Sequence, residues 1–90
     1  MPVDPPQYPV NLVVEGRPCL VVGGGAVAAR KVAGLLACGA VVTVVAPEVG
    51  EEIESWALSG RIALARRRYE PNEVVGYRLV IAATDDHAVN

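Results

Sequence analysis

The chain predicts an α/β fold, a doubly wound parallel sheet truncated to about four core strands in the order 3-2-1-4. Three observations predict it. Short, continuously apolar, β-branched runs recur along the 90 residues, segments of helical period lie between them, and a glycine triplet stands where the first run gives way to the first helix. Continuous apolar runs of this length suit strands buried on both faces, as parallel strands are.

Residues 1–9 hold four of the seven prolines and read as an extended lead-in, since proline denies the chain a helix or a central strand. Residues 10–90 then form one domain. Residues 10–14 suit a short edge strand that ends at the turn-like cluster Glu15-Gly16-Arg17-Pro18. Cys19-Leu20-Val21-Val22 is the first buried strand, and Gly23-Gly24-Gly25 follows it without a spacer. From Ala26 to Cys38 the apolar positions Ala28, Val32, Leu35 and Leu36 keep helical spacing, with Arg30 and Lys31 pointing elsewhere. Gly39 suits the left-handed residue just past that helix.

Val41-Val42-Thr43-Val44-Val45-Ala46 is the most strand-like run, and Pro47 stops it. Residues 48–59 predict a second helix with Ile53, Trp56 and Ala57 on its inner face; Glu51, Glu52 and Glu54 suit its solvent side, and Gly60 closes it. Ile62-Ala63-Leu64-Ala65 is a weaker third strand running into Arg66-Arg67-Arg68. A short polar connection with Pro71, containing one helical turn, leads to the fourth strand, Leu79-Val80-Ile81-Ala82-Ala83. Thr84-Asp85-Asp86-His87 lies just beyond it.

Composition removes several function classes. Eight Lys+Arg against ten Asp+Glu, with only four aromatics and no Phe, argue against a nucleic acid as the main partner. No apolar run approaches the roughly 18–20 residues of a membrane-spanning helix. No secretion signal is visible at the N-terminus. Cys19 and Cys38 match neither a disulfide framework nor a metal knuckle, and read as two buried, reduced thiols of a cytoplasmic protein. Ninety residues leave no room for a separate catalytic domain.

Gly23-x-Gly25-x-x-Ala28 fits the G-x-G-x-x-G/A dinucleotide fingerprint of Rossmann-like domains, between a strand and a helix as that fingerprint requires. The first glycine allows the tight turn. The second lets a pyrophosphate approach the backbone, and the small third residue lets helix and strand pack closely. The helix that starts near Ala26 directs its N–H groups and the positive end of its dipole at the phosphates. A tight turn without ligand is the competing reading of the same triplet.

An acidic residue is expected on the tip of the second strand, to hold the ribose hydroxyls. Here that tip reads Ala46-Pro47-Glu48, so the carboxylate comes late. Glu48 suits two roles equally, a reach to the ribose or a charge at the start of the second helix. No Lys or Arg lies between Lys31 and Arg61 to meet a 2′-phosphate, which favours NAD over NADP. In a 3-2-1-4 sheet the order reverses between the first and fourth strands, and ligands bind outside the carboxyl ends at that switch point. Thr84 and Asp85 therefore face the glycine loop across one crevice, at the nicotinamide end, although Asp85 suits a helix N-cap equally well. His87 has no metal or triad partner and reads as a surface residue.

With these residues placed, the chain resembles the N-terminal domain of the siroheme synthase family, the precorrin-2 dehydrogenases. The strings that carry the resemblance are Tyr8-Pro9-Val10, Cys19 through Lys31 with Gly-Gly-Gly-x-Val-Ala-x-Arg-Lys at its centre, Val44-Val45-Ala46-Pro47, Ile81-Ala82-Ala83-Thr84-Asp85-Asp86 and Val89-Asn90. The resemblance implies NAD-dependent oxidation of precorrin-2 to sirohydrochlorin on the route to sirohaem. Several family members also insert iron, a ferrochelatase (lyase) activity. It further implies cofactor contacts at Ala26 and Val27 and at Pro47 and Glu48, a homodimer for the full-length protein, and an Ala-Pro strand tip as the family's own pattern.

The family's aspartate implicated in both activities follows the next strand, beyond Asn90, as does its dimerising segment. The expectation is therefore the front part of a longer protein, inactive by itself, with its catalytic residue unknown. Arg66, Arg67 and Arg68 read first as a solvated strand end and only second as an attraction for the carboxylate-rich substrate. The rival reading from another class is a ligand-sensing NAD-binding regulatory domain. Ala46-Pro47 weighs against it, because such domains carry an acidic residue directly at the second strand tip.

Overall fold

The computed structural model describes residues 12–83. Within them seven elements follow one another: β1 (Pro18–Val22), α1 (Ala26–Ala37), β2 (Val41–Val45), α2 (Glu51–Leu58), β3 (Ala63–Ala65), the 3-10 turn η1 (Pro71–Val74) and β4 (Leu79–Ala82). The four strands form one sheet in the order β3-β2-β1-β4, and all three pairings are parallel. The predicted order 3-2-1-4 is thus observed. Registers such as Val22↔Val45, Val45↔Ala65 and Val22↔Ala82 bring the carboxyl ends of all four strands to one edge of the sheet.

The central strands are the driest part of the molecule, as continuous apolar runs require. Cys19, Leu20, Val21 and Val44 are fully buried, with Val42 and Val45 nearly so. Ala28, Ala29, Val32 and Leu35 present the buried stripe of α1, and Ile53 is the fully buried anchor of α2, with Trp56 and Ala57 packed around it. At about 25 cal/mol per Å² of apolar surface, this interior is what holds helices to sheet.

Both helices end in the same way. The Ala40 amide donates to the Leu35 carbonyl and Gly39 to Leu36, each at 3.0 Å; Arg61 donates to Trp56 at 2.9 Å and Gly60 to Ala57 at 3.1 Å. These are Schellman closures, and the left-handed residues they need are Gly39 (φ 78°) and Gly60 (φ 79°), as the sequence predicts.

Four expectations are corrected. Leu12–Val14, the described part of the predicted edge strand 10–14, is not in the sheet: β1 already has β2 and β4 on its two sides. That segment instead turns at Glu15-Gly16, where the Arg17 amide donates to Val14 and the Gly16 amide donates to Gly39, both at 2.8 Å, and buries only Val14. The second helix starts at Glu51 with Gly50 as N-cap, three residues later than predicted. Cys38 is exposed, because it caps α1 beyond the buried stripe; Cys19 is buried, and both thiols are free. β3 is one residue shorter than predicted, although Ile62 is buried ahead of it.

Among the described residues, no helix is long and apolar enough to cross a membrane.

Candidate functional site

The glycine loop leaves β1 at the carboxyl edge of the sheet. The Gly23 amide donates to the Val45 carbonyl at 3.0 Å, which extends the β1–β2 ladder by one bond. Gly23 has φ 133°, a value that L side chains rarely adopt, so the turn into the helix depends on a glycine there. Gly25 is the N-cap of α1, and its carbonyl accepts the Ala29 amide at 3.0 Å. Ala28, the third position of the fingerprint, is fully buried, where a larger side chain would push helix from strand.

The middle glycine, to which the fingerprint gives no role, is the most tightly held. A Cβ on Gly24 would overlap the Glu48 carbonyl oxygen and crowd Val49 at 2.9 Å. The Gly50 amide donates to the Gly24 carbonyl at 2.9 Å. The loop that carries Pro47 and Glu48 therefore lies against the glycine loop, and the start of α2 is tied to the start of α1.

Between the two helix starts lies a cleft of about 600 Å³, lined by Gly24, Gly25, Ala26 and Ala29 on one side and by Gly50, Glu51, Glu52 and Ile53 on the other. This size falls within the range of small-molecule sites, about 300–1,000 Å³. Its two walls differ in charge. α1 has no acidic residue in its own first turn, and its N-cap Gly25 provides no side-chain cap. α2 carries Glu51, Glu52 and Glu54 in its first turn. Backbone glycines at a helix N-terminus suit a pyrophosphate, and carboxylates suit hydroxyl donors.

The structure brings Gly24, Gly25 and Ala26 together in this cleft. Gly23 and Val27 flank them in the chain without lining it. Ala46 continues the sheet edge, its amide donating to Ala65 at 3.1 Å, and is buried, while Pro47 and Glu48 are exposed just outside the cleft. Glu48 precedes the N-cap of α2, so its reading as a charge in that helix's first turn is corrected. The Ala83 amide donates to Val22 at 2.8 Å, which brings the described chain back beside the glycine loop. Thr84 and Asp85 follow it and lie outside the described residues, as does His87.

Sequence reading missed Gly50, Glu51 and Glu52 as lining residues. A signal was present, because a glycine directly before two glutamates is a fair N-cap followed by an acidic first turn. Arg66, Arg67 and Arg68 are exposed past the end of β3; the Arg66 guanidinium pairs with the Glu54 carboxylate of α2, and the Arg67 guanidinium donates to the Arg68 carbonyl.

The chain is similar to known proteins over nearly its whole length. The family described as putative NAD(P)-binding matches residues 10–90. A siroheme synthase of Nitrosococcus oceani is 47% identical over 85 residues, which cover 93% of this chain and 18% of that protein. A precorrin-2 dehydrogenase of Priestia megaterium is 41% identical over 84 residues, covering 93% of this chain and 42% of that one. The solved structure of SirC, a precorrin-2 dehydrogenase, superposes with a TM-score of 0.82 at 40% identity, again over 93% of this chain and 42% of the other. The resemblance read from the glycine string and the Ala-Ala-Thr-Asp string is thereby confirmed, and so is the Rossmann-like fold class. These relatives bear enzyme names, which does not favour a ligand-sensing domain. The chain spans about two fifths or less of their lengths.

Proposed function

The chain belongs to the putative NAD(P)-binding family, and from that premise we propose that it supplies the dinucleotide site of an NAD-dependent precorrin-2 dehydrogenase. The reaction oxidises precorrin-2 to sirohydrochlorin on the route to sirohaem. The observation that carries the reading is the glycine loop Gly23-Gly24-Gly25, held at the N-terminus of α1 on the carboxyl edge of a parallel sheet. Small residues and a positive helix end suit a pyrophosphate, so the site fits the group.

In this reading Gly23, Gly24, Gly25, Ala26 and Val27 bind the pyrophosphate through backbone. Ala46, Pro47 and Glu48 flank the adenosine end. Thr84 and Asp85 serve the nicotinamide end. The nicotinamide ring supplies the hydride acceptor, and the protein's part is orientation and a pocket. The reading takes NAD over NADP, supported by the absence of Lys and Arg from the described residues that line the cleft. The full-length protein acts as a homodimer in the cytoplasm, with its catalytic residue outside this chain.

A titration of isotope-labelled protein with NAD tests the site. Amide shifts concentrated at residues 23–27 are expected, and their absence at millimolar NAD overturns the reading. Appearance of reduced cofactor on addition of precorrin-2 to the full-length protein tests the reaction.

A further inference from the structure

Two helix starts meet at the cleft, and only one of them is negative. The α1 side offers Gly24, Gly25 and Ala26, whereas the α2 side offers the carboxylates of Glu51 and Glu52. Their positions are held by the Gly50–Gly24 hydrogen bond, so the acidic wall keeps a constant place relative to the glycine loop. We propose that Glu51 and Glu52 are the residues that determine cofactor specificity, accepting hydrogen bonds from the adenosine ribose hydroxyls and repelling a 2′-phosphate.

The proposal rests on the dinucleotide reading above and adds to it the side chains that read the ribose. The usual place for such a carboxylate is the tip of the second strand, and here that tip is Ala46-Pro47. Glu48 is the nearest acid in sequence, but its backbone carbonyl is the atom pressed on Gly24, and the residue is outside the cleft lining. Three residues on, α2 begins and turns Glu51 and Glu52 to the cleft. The missing strand-tip carboxylate is thus replaced from the first turn of the next helix.

The charges make the discrimination directional. A vicinal diol has two O–H donors for carboxylates that only accept, and a 2′-phosphate replaces one donor with negative charge next to two others. No Lys or Arg is among the described residues that line the cleft to offset this charge. Arg66, beyond the end of β3, is engaged by Glu54, which also lies in the first turn of α2 but does not line the cleft. Repulsion of the wrong ligand is one of the two ways a site gains specificity.

Calorimetric titration of NAD and NADP into the wild-type protein, Glu51→Gln, Glu52→Gln, the double variant and Glu48→Gln tests the assignment. Wild type is expected to prefer NAD by about tenfold or more, and the double variant to narrow that preference by about tenfold, mainly through tighter NADP binding. Glu48→Gln, outside the cleft lining, moves the ratio less than the double variant does. A thermal melt of the double variant within a few degrees of wild type separates ribose reading from a role confined to the helix dipole. An unchanged ratio in the double variant, or a ratio moved instead by Glu48→Gln, overturns the proposal while the dinucleotide site stands. Failure of the wild-type protein to bind either dinucleotide overturns both.

Discussion

Gly24 and Gly50 are joined by a backbone hydrogen bond of 2.9 Å that ties the glycine loop to the N-cap of α2. The bond has steric company, since the Glu48 carbonyl and Val49 occupy the space that a Cβ on Gly24 would need. The middle glycine of the triplet is therefore a packing residue. It lets the loop after β2 lie on the loop after β1, and this contact sets the width of the cleft between the two helices.

Gly24→Ala follows directly from that geometry. The overlap is with backbone, which cannot swing aside as a side-chain end does, so loop 47–50 must move. Overpacking of this kind costs about 1–3 kcal/mol. The expected outcome is a lowered denaturation midpoint together with NAD affinity reduced by about tenfold or more, each tenfold being about 1.4 kcal/mol. Unchanged NAD affinity in a folded Gly24→Ala protein would show that the contact does not shape the site.

Gly34→Ala is the opposite case. Gly34 lies inside α1, exposed, with nothing near the place a Cβ would take. Glycine inside a helix is worse than alanine by about 0.5–1 kcal/mol, chiefly because it has more unfolded freedom to lose. The variant should melt a few degrees higher and bind NAD as wild type does. A loss of stability would show that the surface of α1 at Gly34 is not open to a Cβ.

Much of this was legible in the sequence where the determinants are local. The alternation of apolar runs with 3.6-residue spacing was enough for the order of elements, and Gly39 and Gly60 announced their own helix ends. The site was half legible. Gly23, Gly25 and Ala28 are read by position in a fingerprint, but the role of Gly24 depends on Glu48 and Gly50, which only the β1–β2 pairing brings to it. Periodicity put Glu51 and Glu52 on the solvent side of α2, and they are exposed. The cleft they face is made by a second helix start, which no period within α2 can reveal. Cys38 was misplaced for a related reason, since a capping residue leaves the buried stripe even when its side chain is apolar.

The two thiols should behave differently, and one of them should make stability depend on pH. Cys19 is fully buried in β1, and burial pushes its thiol above the ordinary range, with Arg78 nearby pulling weakly the other way. Cys38 is exposed at the end of α1. A colorimetric thiol reagent at neutral pH should therefore titrate one cysteine quickly and the second only as the protein opens, with Cys38→Ser abolishing the fast phase. The raised native pKa means that the folded state holds its proton more tightly than the unfolded chain. The contribution from Cys19 is then fully present below the unfolded thiol value of about 8.5, and it is lost as pH rises through the higher native value. Denaturant midpoints measured from pH 7 to pH 10 should fall more steeply for wild type than for Cys19→Ala, which starts lower because it leaves a small cavity beside Val21 and Val42. Parallel pH profiles for the two proteins would show that the Cys19 thiol titrates alike in the folded and unfolded chains.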